Sequence, residues 1–281
     1  MRQVAILLTT YNSSAFLKEL IVSLFSQTFG DWLLYIRDDG STDKTLDIIR
    51  HFMEEDKRIH FLHDDCKRGA MQGFLWLLQQ VDAEYYMFCD HDDVWQPNKV
   101  EVTLKKMLSV GTDTGRPIVV HTDLTVVDAH LNVLECSFWK SQHIQEREFN
   151  DKYYHLVYNN VTGCTMMINA KAKDVSLPVH PYAQMHDSWI VASVLWNGGV
   201  VLAVHEQTIL YRQHGKNTIG ANELPGIGDK FHRLKSLIRK TNRQYVVAKY
   251  LSGIGFLHFW LLKLYCMCLI YMRDYKNLKR R

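Results

Sequence analysis

The feature that most limits the fold is the alternation of short apolar runs with segments of helical periodicity over the first 110 residues. The runs cover residues 4–10, 32–37, 59–63 and 85–89, and helical patterns cover residues 15–25, 44–55 and 71–80. Such continuous apolar runs are typical of strands that are buried on both faces. Strands and helices in alternation form right-handed crossovers, so the sequence predicts an α/β fold with a mainly parallel sheet flanked by helices.

The pattern continues less regularly beyond residue 98. Residues 99–110 and 188–196 are predicted helices, and residues 118–122, 165–168 and 200–204 are predicted strands. Residues 124–153 have poor periodicity, and we expect them to help shape a cleft. We divide the chain into a body of residues 1–229, with halves 1–123 and 124–229, and a helical tail of residues 230–281.

Charge separates the tail from the body. The net charge of the chain is only +3, but residues 230–281 contain 13 Lys and Arg and one acid, Asp274. Residues 1–229 contain 20 Lys and Arg and 29 acids, so the body carries −9 and the tail +12. This asymmetry predicts a tail that meets an anionic surface.

The tail also contains a mostly apolar stretch, residues 253–272, that is long enough to span a bilayer. His258 and Lys263 lie inside it, and a Lys in mid-span costs about 2.5–3.5 kcal/mol on insertion scales. We therefore predict helices that lie on the membrane surface, with aromatic side chains in the interface and basic ones against lipid head groups. The alternative is a helical subdomain that packs on the body.

Cysteine usage and the N-terminus predict a reducing, cytoplasmic setting. The six cysteines show neither zinc-ligand spacing nor a disulfide framework, and Met1 leads almost at once into a strand-like run. Together with the tail, this predicts a cytoplasmic protein that is peripheral on the inner face of the cell membrane.

Three carboxylates, Asp90, Asp92 and Asp93, directly follow the fourth apolar run. Like charges at this spacing repel unless a cation lies between them. Mg²⁺ or Mn²⁺ binds oxygen ligands of this kind and completes its coordination with water and phosphate. An acidic surface turn would have the same residues, so the stretch alone leaves both interpretations open.

The loops after the other predicted strands contain groups that suit a nucleoside diphosphate. Parallel strands bring these loops to one edge of the sheet, where ligands bind in open α/β folds. Tyr11 can stack on a nucleobase, Asp39 can accept from a ring N–H, and Lys67 or Arg68 can face phosphate. Asp90 can bind ribose hydroxyls and Asp92 the metal. The Asp38-Asp39-Gly40 sequence is equally typical of a tight turn, which is compatible with function.

Four ordered motifs resemble those of family 2 glycosyltransferases of the GT-A fold. They are Leu8-Thr9-Thr10-Tyr11-Asn12, Ser26-Gln27-Thr28, Asp38-Asp39-Gly40-Ser41-Thr42-Asp43 and the Asp-x-Asp-Asp loop at Asp90. The resemblance covers about residues 2–215. Further motifs are similar to the bacterial rhamnosyltransferase branch: Gly163-Cys164-Thr165-Met166-Met167, His186-Asp187 and Tyr211-Arg212-Gln213-His214-Gly215. That branch usually has Gln at the position of His91.

The resemblance implies an inverting, metal-dependent transferase with Asp187 as the catalytic base and His186 as its neighbour. A helix N-cap is the alternative role for Asp187. The resemblance implies Asp92 and His214 as ligands of Mn²⁺ or Mg²⁺. It assigns nucleotide-sugar binding to Thr9, Tyr11, Asn12, Asp39, Arg68, Asp90 and Arg212. The expected donor is dTDP-rhamnose or a UDP-sugar, and the expected acceptor is a glycan or a lipid-linked glycan.

Three other functions compete with this one. A nucleotidyltransferase would have a Gly-rich loop after the first strand, where this chain has Thr10-Tyr11-Asn12-Ser13. A catalytically inactive nucleotide-sugar-binding protein would not need both Asp92 and Asp187. Binding of nucleic acid by the tail is disfavoured, because the apolar and aromatic residues beside its charges suit lipid better.

Overall fold

The computed structural model describes residues 4–110, 115–214 and 230–278. Its first half contains the strands β1 (Val4–Thr10), β2 (Trp32–Asp38), β3 (Ile59–Phe61) and β4 (Tyr85–Asp90) and the helices α1 (Leu17–Phe25), α2 (Thr45–Glu55) and α3 (Gly69–Gln80). The four strands are parallel and lie in the order β3-β2-β1-β4. Every residue of β1 is buried, which explains why this run is apolar on both faces. The predicted α/β architecture is confirmed.

The second half extends the same sheet. Its elements are β5 (Val94–Trp95), α4 (Lys99–Leu108), β6 (Ile118–Val127), β7 (Val133–Glu135), α5 (Phe138–Ser141), α6 (Tyr154–Val157), β8 (Met166–Asn169), α7 (Ala170–Ser176), α8 (His186–Trp196) and β9 (Val200–Arg212). Strand β8 is antiparallel to both of its neighbours, β4 and β6. Strand β9 then pairs with β6 in parallel and with β5 antiparallel. Two apolar cores pack on the two faces of the sheet.

Strands β6 and β9 are much longer than predicted. The apolar pattern predicts ends at residues 122 and 204, whereas the strands reach Val127 and Arg212. The extension of β9 begins with four polar residues, 205–208, and side chains from this stretch bond to β6. The hydroxyls of Thr122 and Thr208 lie 2.6 Å apart. Gln207 Nε2 also donates to Asp123 Oδ2 at 2.8 Å. This extension carries β9 to the edge of the sheet at which β1, β2 and β4 end.

The tail forms two helices, α9 (Lys230–Ser252) and α10 (Phe256–Leu278). The boundary between body and tail at residue 229 lies outside the described residues. Helix α9 packs on α6 and α8, and α10 packs on α6 and α9. Phe259 and Ala248 are fully or almost fully buried there, in a small core that includes Tyr154 and Leu156 of α6. The tail therefore packs on the body through one face.

The other face of α10 is apolar and exposed. Leu257, Leu261 and Leu264 are 69%, 54% and 58% exposed. By length and composition alone, residues 256–273 could cross a membrane, a test that core helices of soluble proteins also pass.

Candidate active site

The loop after β2 contains two adjacent acids, Asp38 and Asp39, which have different roles. Asp38 builds the turn: its carboxylate accepts from the Thr10 hydroxyl at 2.7 Å and from the Ser41 backbone N–H at 2.7 Å. Asn12, in the left-handed region at φ 48°, is bound to the same loop, because its side-chain oxygen accepts from the Thr42 backbone N–H at 2.8 Å. These contacts hold the ends of β1 and β2 together, and they leave Asp39 to face the edge of the sheet.

Asp39 is held by an arginine that the motifs did not reveal. Arg37 is fully buried, and it donates to Asp39 Oδ1 at 2.7 Å and to Asp64 Oδ2 at 2.7 Å. The backbone N–H groups of Arg68 and Gly69 also donate to Asp39. Partial burial raises the pKa of Asp39, but the hydrogen bonds from Arg68, Arg37 and Gly69 outweigh it and lower the pKa overall. Asp39 is therefore an ionised and oriented acceptor.

Arg68 itself is engaged within the protein. Its Nε donates to Asp64 Oδ2 at 2.5 Å, and its Nη2 donates to Asp64 Oδ1 at 3.1 Å. The predicted phosphate contact would need this ion pair to open. In the present geometry Arg68 acts on the site through its backbone N–H.

Tyr11 and Thr9 lie at the end of β1 with different exposures. Thr9 is buried against α3, where a Cβ added to Gly73 would lie only 2.9 Å from the Thr9 methyl group. Tyr11 is 52% exposed. A half-exposed ring at this edge of the sheet is available for stacking, as the sequence predicts.

The carboxylates at and after the end of β4 are close together: Asp90 is half-buried, and Asp92 and Asp93 are buried. Burial, followed by the charges of Asp92 and Asp187, raises the pKa of Asp90 to about 7. Burial, Asp90 and Asp92 raise the pKa of Asp93 well above its usual range. Asp187 therefore lies near the acidic loop, although it comes from helix α8.

His214, the last described residue after β9, meets this loop. Its Nε2 lies 2.9 Å from Asp92 Oδ2, and its ring stacks on Phe16 with centroids 4.9 Å apart. The structure thus brings together the two residues predicted as metal ligands. The rest of the predicted motif, from Gly215 onwards, lies outside the described residues.

Arg212 is hydrogen-bonded to the acidic loop. It is 3% exposed, its Nε donates to the Asp92 carbonyl at 2.8 Å, and its Nη2 forms an ion pair with Glu19. Its Nη1 donates to the Ala129 carbonyl at 2.7 Å. All three guanidinium nitrogens are thus bonded inside the protein, which favours a structural role over the predicted contact with phosphate.

Asp187 lies in the first turn of α8 and is 9% exposed. Burial raises its pKa to about 6, and hydrogen bonds from the backbone of Ser188 and Gly163 limit the rise. The ring of His186 points into the core, 4.5 Å from the Phe74 ring and 5.0 Å from the Phe88 ring between centroids. A Cβ at Gly163 would lie 2.5 Å from His186 Nε2, so glycine is needed there for this packing. His186 therefore anchors the start of α8 from the core.

The donor atoms of the acidic cluster fit a hard divalent cation. Oxygens of Asp90 and Asp93 and the sulfur of Cys164 all lie within 4.8 Å of one another. Burial raises the pKa of the Cys164 thiol well above its usual value, so it remains a protonated neighbour. The carboxylates and the imidazole of His214 form the oxygen and nitrogen set that Mn²⁺ or Mg²⁺ accepts. A cation would also relieve the repulsion that raises the pKa of Asp90.

Sequence reasoning missed Arg37, Asp64 and Glu19, which orient the predicted residues. Arg37 had a signal: it is a charge inside an apolar strand, directly before the two acids of the next loop. Glu19 had none, because its partner Arg212 lies 193 residues away. Asp64 lies four residues before Arg68, but its second partner, Arg37, is 27 residues away, and no motif includes Asp64.

The fold is of the α/β class, and an acidic loop lies at the end of β4, beside His214 and close to Asp187. The model of the family described as Glycosyl transferase family 2 matches residues 5–175. The chain therefore belongs to glycosyltransferase family 2, whose members transfer a sugar from a nucleotide-sugar donor.

Curated relatives of this chain are also named as glycosyltransferases. TuaG of Bacillus subtilis, named for teichuronic acid biosynthesis, is 30% identical over 225 residues, covering 78% of this chain and 82% of TuaG. The dTDP-rhamnosyl transferase RfbG of Shigella flexneri is 24% identical over 98% of this chain and 94% of RfbG. WfgD of Escherichia coli, a UDP-Glc:alpha-D-GlcNAc-diphosphoundecaprenol beta-1,3-glucosyltransferase, is 31% identical over 37% of this chain and 41% of WfgD.

Solved structures share the fold. TarS 1-349 of S. aureus in complex with UDP-GlcNAc gives a TM-score of 0.61 at 16% identity, covering 94% of this chain and 70% of that one. The mannosyltransferase PcManGT of Pyrobaculum calidifontis, in complex with GDP-Man and Mn²⁺, gives 0.59 at 11% identity, covering 99% of this chain and 83% of that one. The predicted GT-A architecture is confirmed.

Proposed function

We propose that this protein is an inverting, metal-dependent glycosyltransferase that moves rhamnose from dTDP-rhamnose to a hydroxyl of a polysaccharide or a lipid-linked oligosaccharide. The observation that carries the proposal is the convergence of two buried acidic groups from separate elements. Asp187 of α8 faces the Asp90–Asp92 loop closely enough for its charge to raise the pKa of Asp90. An inverting transfer needs this arrangement, with a base on one side of the sugar and a bound diphosphate on the other.

Asp187 has the properties of the base. A pKa of about 6 leaves it mostly ionised near neutral pH and closer to the operating pH than an ordinary carboxylate, which favours proton transfer. As the acceptor oxygen attacks the anomeric carbon, Asp187 takes its proton. The bond between that carbon and the diphosphate oxygen breaks, and the diphosphate leaves on the opposite face.

The nucleoside is proposed to bind at the ends of β1 and β2. The half-exposed ring of Tyr11 stacks on the base, and the ionised Asp39 accepts from its ring N–H. Thr9 and Asn12 shape the floor and the rim of this subsite. Arg68 contributes through the backbone N–H that orients Asp39, and its guanidinium can reach phosphate only if the ion pair with Asp64 opens.

Asp92 and His214, with Asp90 beside them, would hold Mn²⁺ or Mg²⁺. When bound, the cation supplies Lewis-acid stabilisation of the charge on the leaving diphosphate. Arg212 keeps the loop in place for this, through the Asp92 carbonyl and the Asp93 side chain, which accepts the Arg212 backbone N–H at 3.2 Å.

We further propose that the protein works at the cytoplasmic face of the cell membrane. The exposed leucines of α10 lie beside the basic helix α9, a combination that suits an interface with anionic lipid. The name of WfgD, which acts on a diphosphoundecaprenol-linked sugar, supports a lipid-linked acceptor.

A panel of nucleotide sugars tests the donor. The purified protein is incubated with Mn²⁺ and dTDP-rhamnose, UDP-glucose, UDP-GlcNAc or GDP-mannose, and both thermal stabilisation and donor hydrolysis are measured. We expect dTDP-rhamnose to give the largest effects, and EDTA to abolish them. A stronger response to a UDP-sugar would reassign the donor, and the absence of turnover with any donor and acceptor would favour a binding protein without activity. The anomeric configuration of the product, measured by NMR, tests inversion.

A further inference from the structure

A cavity of about 520 Å³ lies between α9 and the loop that leads into α8. Its walls are formed by Pro181, Tyr182, Ala183, Gln184, Arg239, Lys240 and Arg243. Three of these seven residues are cations, and none of them is acidic. Within the described part of the chain, no carboxylate forms an ion pair with any of the three. We call this site the basic cavity.

Its two walls are tied together. Gln184 Nε2 donates to the backbone carbonyl of Lys240 at 2.9 Å, and the guanidinium carbon of Arg243 lies 5.9 Å from the centre of the Tyr182 ring. Lys263 of α10 lies near this wall: its Nζ donates to Gln244 Oε1 at 2.6 Å, and burial, followed by the charge of Lys240, lowers its pKa. The two walls of the cavity are therefore bonded to each other, and the three exposed cations line the space between them.

The basic cavity lies close to the proposed catalytic base. Gln184 precedes Asp187 by three residues, and a fully extended chain of that length spans at most about 11 Å. The backbone of Gln184, in one wall of the cavity, therefore lies within about 11 Å of the backbone of Asp187. Helix α9, which forms the other wall of the cavity, packs directly on α8, the helix that carries Asp187.

We propose that the basic cavity binds the phosphate or diphosphate that links the acceptor sugar to its lipid. This inference rests on the proposed function, and it names the acceptor as a short phosphate-linked glycan. The diphosphate of the donor already has a site, because the acidic loop with its cation lies at the ends of β1, β2 and β4. A second, metal-free anion site therefore suits the other substrate. Two guanidinium groups can bind phosphate oxygens in the bidentate manner that lysine cannot.

Binding of inorganic pyrophosphate to the full-length protein tests the cavity. Calorimetry is done in EDTA, so that the acidic loop has no cation with which to hold the probe. We expect the double variant Arg239→Gln/Arg243→Gln to bind pyrophosphate about tenfold or more weakly than wild type, because each substitution removes a charge-assisted hydrogen bond to the phosphate. The control Lys105→Gln/Lys249→Gln removes the same charge from exposed positions that do not line the cavity, and it should bind within about twofold of wild type. Failure of wild type to bind pyrophosphate, or equal loss in the control, would overturn the proposal.

Turnover separates this inference from the proposed function. A sugar linked through diphosphate to a short prenyl chain is compared with the same sugar as an octyl glycoside. The Arg239→Gln/Arg243→Gln variant should lose kcat/KM about tenfold or more for the diphosphate-linked acceptor only, while donor hydrolysis stays at the wild-type rate. Equal loss for both acceptors would overturn the cavity assignment but not the transferase. Absence of donor hydrolysis in wild type would instead contradict the proposed function.

Anionic phospholipid is the other source of the same phosphate chemistry. Sedimentation with phosphatidylcholine vesicles, with and without phosphatidylglycerol, distinguishes the two. We expect the variant and its charge-matched control to lose binding to phosphatidylglycerol equally, because bilayer attraction depends on total charge. A selective loss of vesicle binding in the arginine variant, with pyrophosphate affinity unchanged, would assign these arginines to the bilayer instead.

Discussion

Asp92 and His214 are 122 residues apart in sequence, yet His214 Nε2 lies 2.9 Å from Asp92 Oδ2. The contact exists because β9 runs far beyond its apolar part and ends beside the acidic loop. Its last residue, Arg212, donates to the Asp92 carbonyl at 2.8 Å and so helps to fix the relative position of the two proposed metal ligands.

We predict that Asp92→Ala and His214→Ala each weaken Mn²⁺-dependent binding of the nucleoside diphosphate by at least about tenfold. Loss of outer-shell partners alone typically costs 10–100-fold in metal affinity or activity, about the least expected for a ligand. Calorimetry with Mn²⁺ and without it measures the effect. Binding of the free nucleoside serves as the control and should not change. Metal dependence like that of wild type in both variants would refute the assignment.

Asp187→Asn should lower kcat by about 10²–10⁴-fold and leave donor affinity within about twofold, because the amide cannot take the acceptor proton. Initial rates of transfer and calorimetry with the donor measure the two effects separately.

The pH dependence provides an independent check of this base. The proton must be absent for catalysis, so activity falls as pH drops through the pKa. Because burial raises the pKa of Asp187 to about 6, we expect an acidic limb in kcat near pH 6 and not near pH 4. A flat profile between pH 5 and 7, or full activity of Asp187→Asn, would exclude Asp187 as the base.

Arg37→Met should destabilise the fold by about 3–5 kcal/mol, because Asp39 and Asp64 both lose the buried guanidinium that pairs with them. The Asp64 side chain is only 5% exposed. Urea denaturation measures the change. The matched control is Arg50→Met, whose ion pair with Asp47 is 67% and 72% exposed, and it should cost about 0–1 kcal/mol. A similar loss in the free energy of unfolding for both variants would mean that the buried ion pairs of Arg37 stabilise the fold no more than an exposed pair does.

His121→Leu should alter the pH dependence of stability. His121 is fully buried between Trp139 and Phe149, and burial lowers its pKa to about 3. Below about pH 6.5 the unfolded chain binds a proton that the folded protein excludes, so wild type loses stability as pH falls. The variant should escape up to about 1.4 kcal/mol of this loss per pH unit. Urea titrations at pH 7.5 and pH 5 test this, and parallel changes in both proteins would contradict it.

The variant Leu257→Gln/Leu261→Gln/Leu264→Gln should bind anionic vesicles several-fold more weakly, since it removes apolar area that we propose enters the interface. Its stability should stay near that of wild type, because all three side chains are exposed. Phe259→Ala provides the contrast: this ring is fully buried, and its loss should cost about 3–5 kcal/mol. Vesicle sedimentation and urea denaturation separate the two faces, and unchanged sedimentation of the triple variant would argue against membrane docking.

The elements that local pattern specifies were predictable. Strands β1 and β4 are buried on both faces, so their apolar runs mark them, and the acids at their ends could be placed at one edge from topology alone. The late part of β9 was not predictable, because its polar residues are satisfied by cross-strand partners such as the Thr122–Thr208 pair.

The candidate site also contains features that could be predicted from the sequence and features that could not. Asp39, Asp92 and Asp187 could be named from motifs, and the structure places Asp92 and Asp187 around the acidic loop. The engagement of Arg212 with Glu19, 193 residues away, and of Asp64 with Arg37, 27 residues away, could not be foreseen. Such pairings depend on three-dimensional distance, and a motif shows only that an arginine is present.

The packing of α9 against α8 has a consequence for which acceptors can be extended. Helix α8, which carries the proposed base in its first turn, packs directly on the basic helix α9 of the tail. If the tail binds the membrane, this contact determines the distance between the membrane surface and Asp187. Acceptor glycans whose length does not match that distance would then not be extended, even when their terminal sugar is correct.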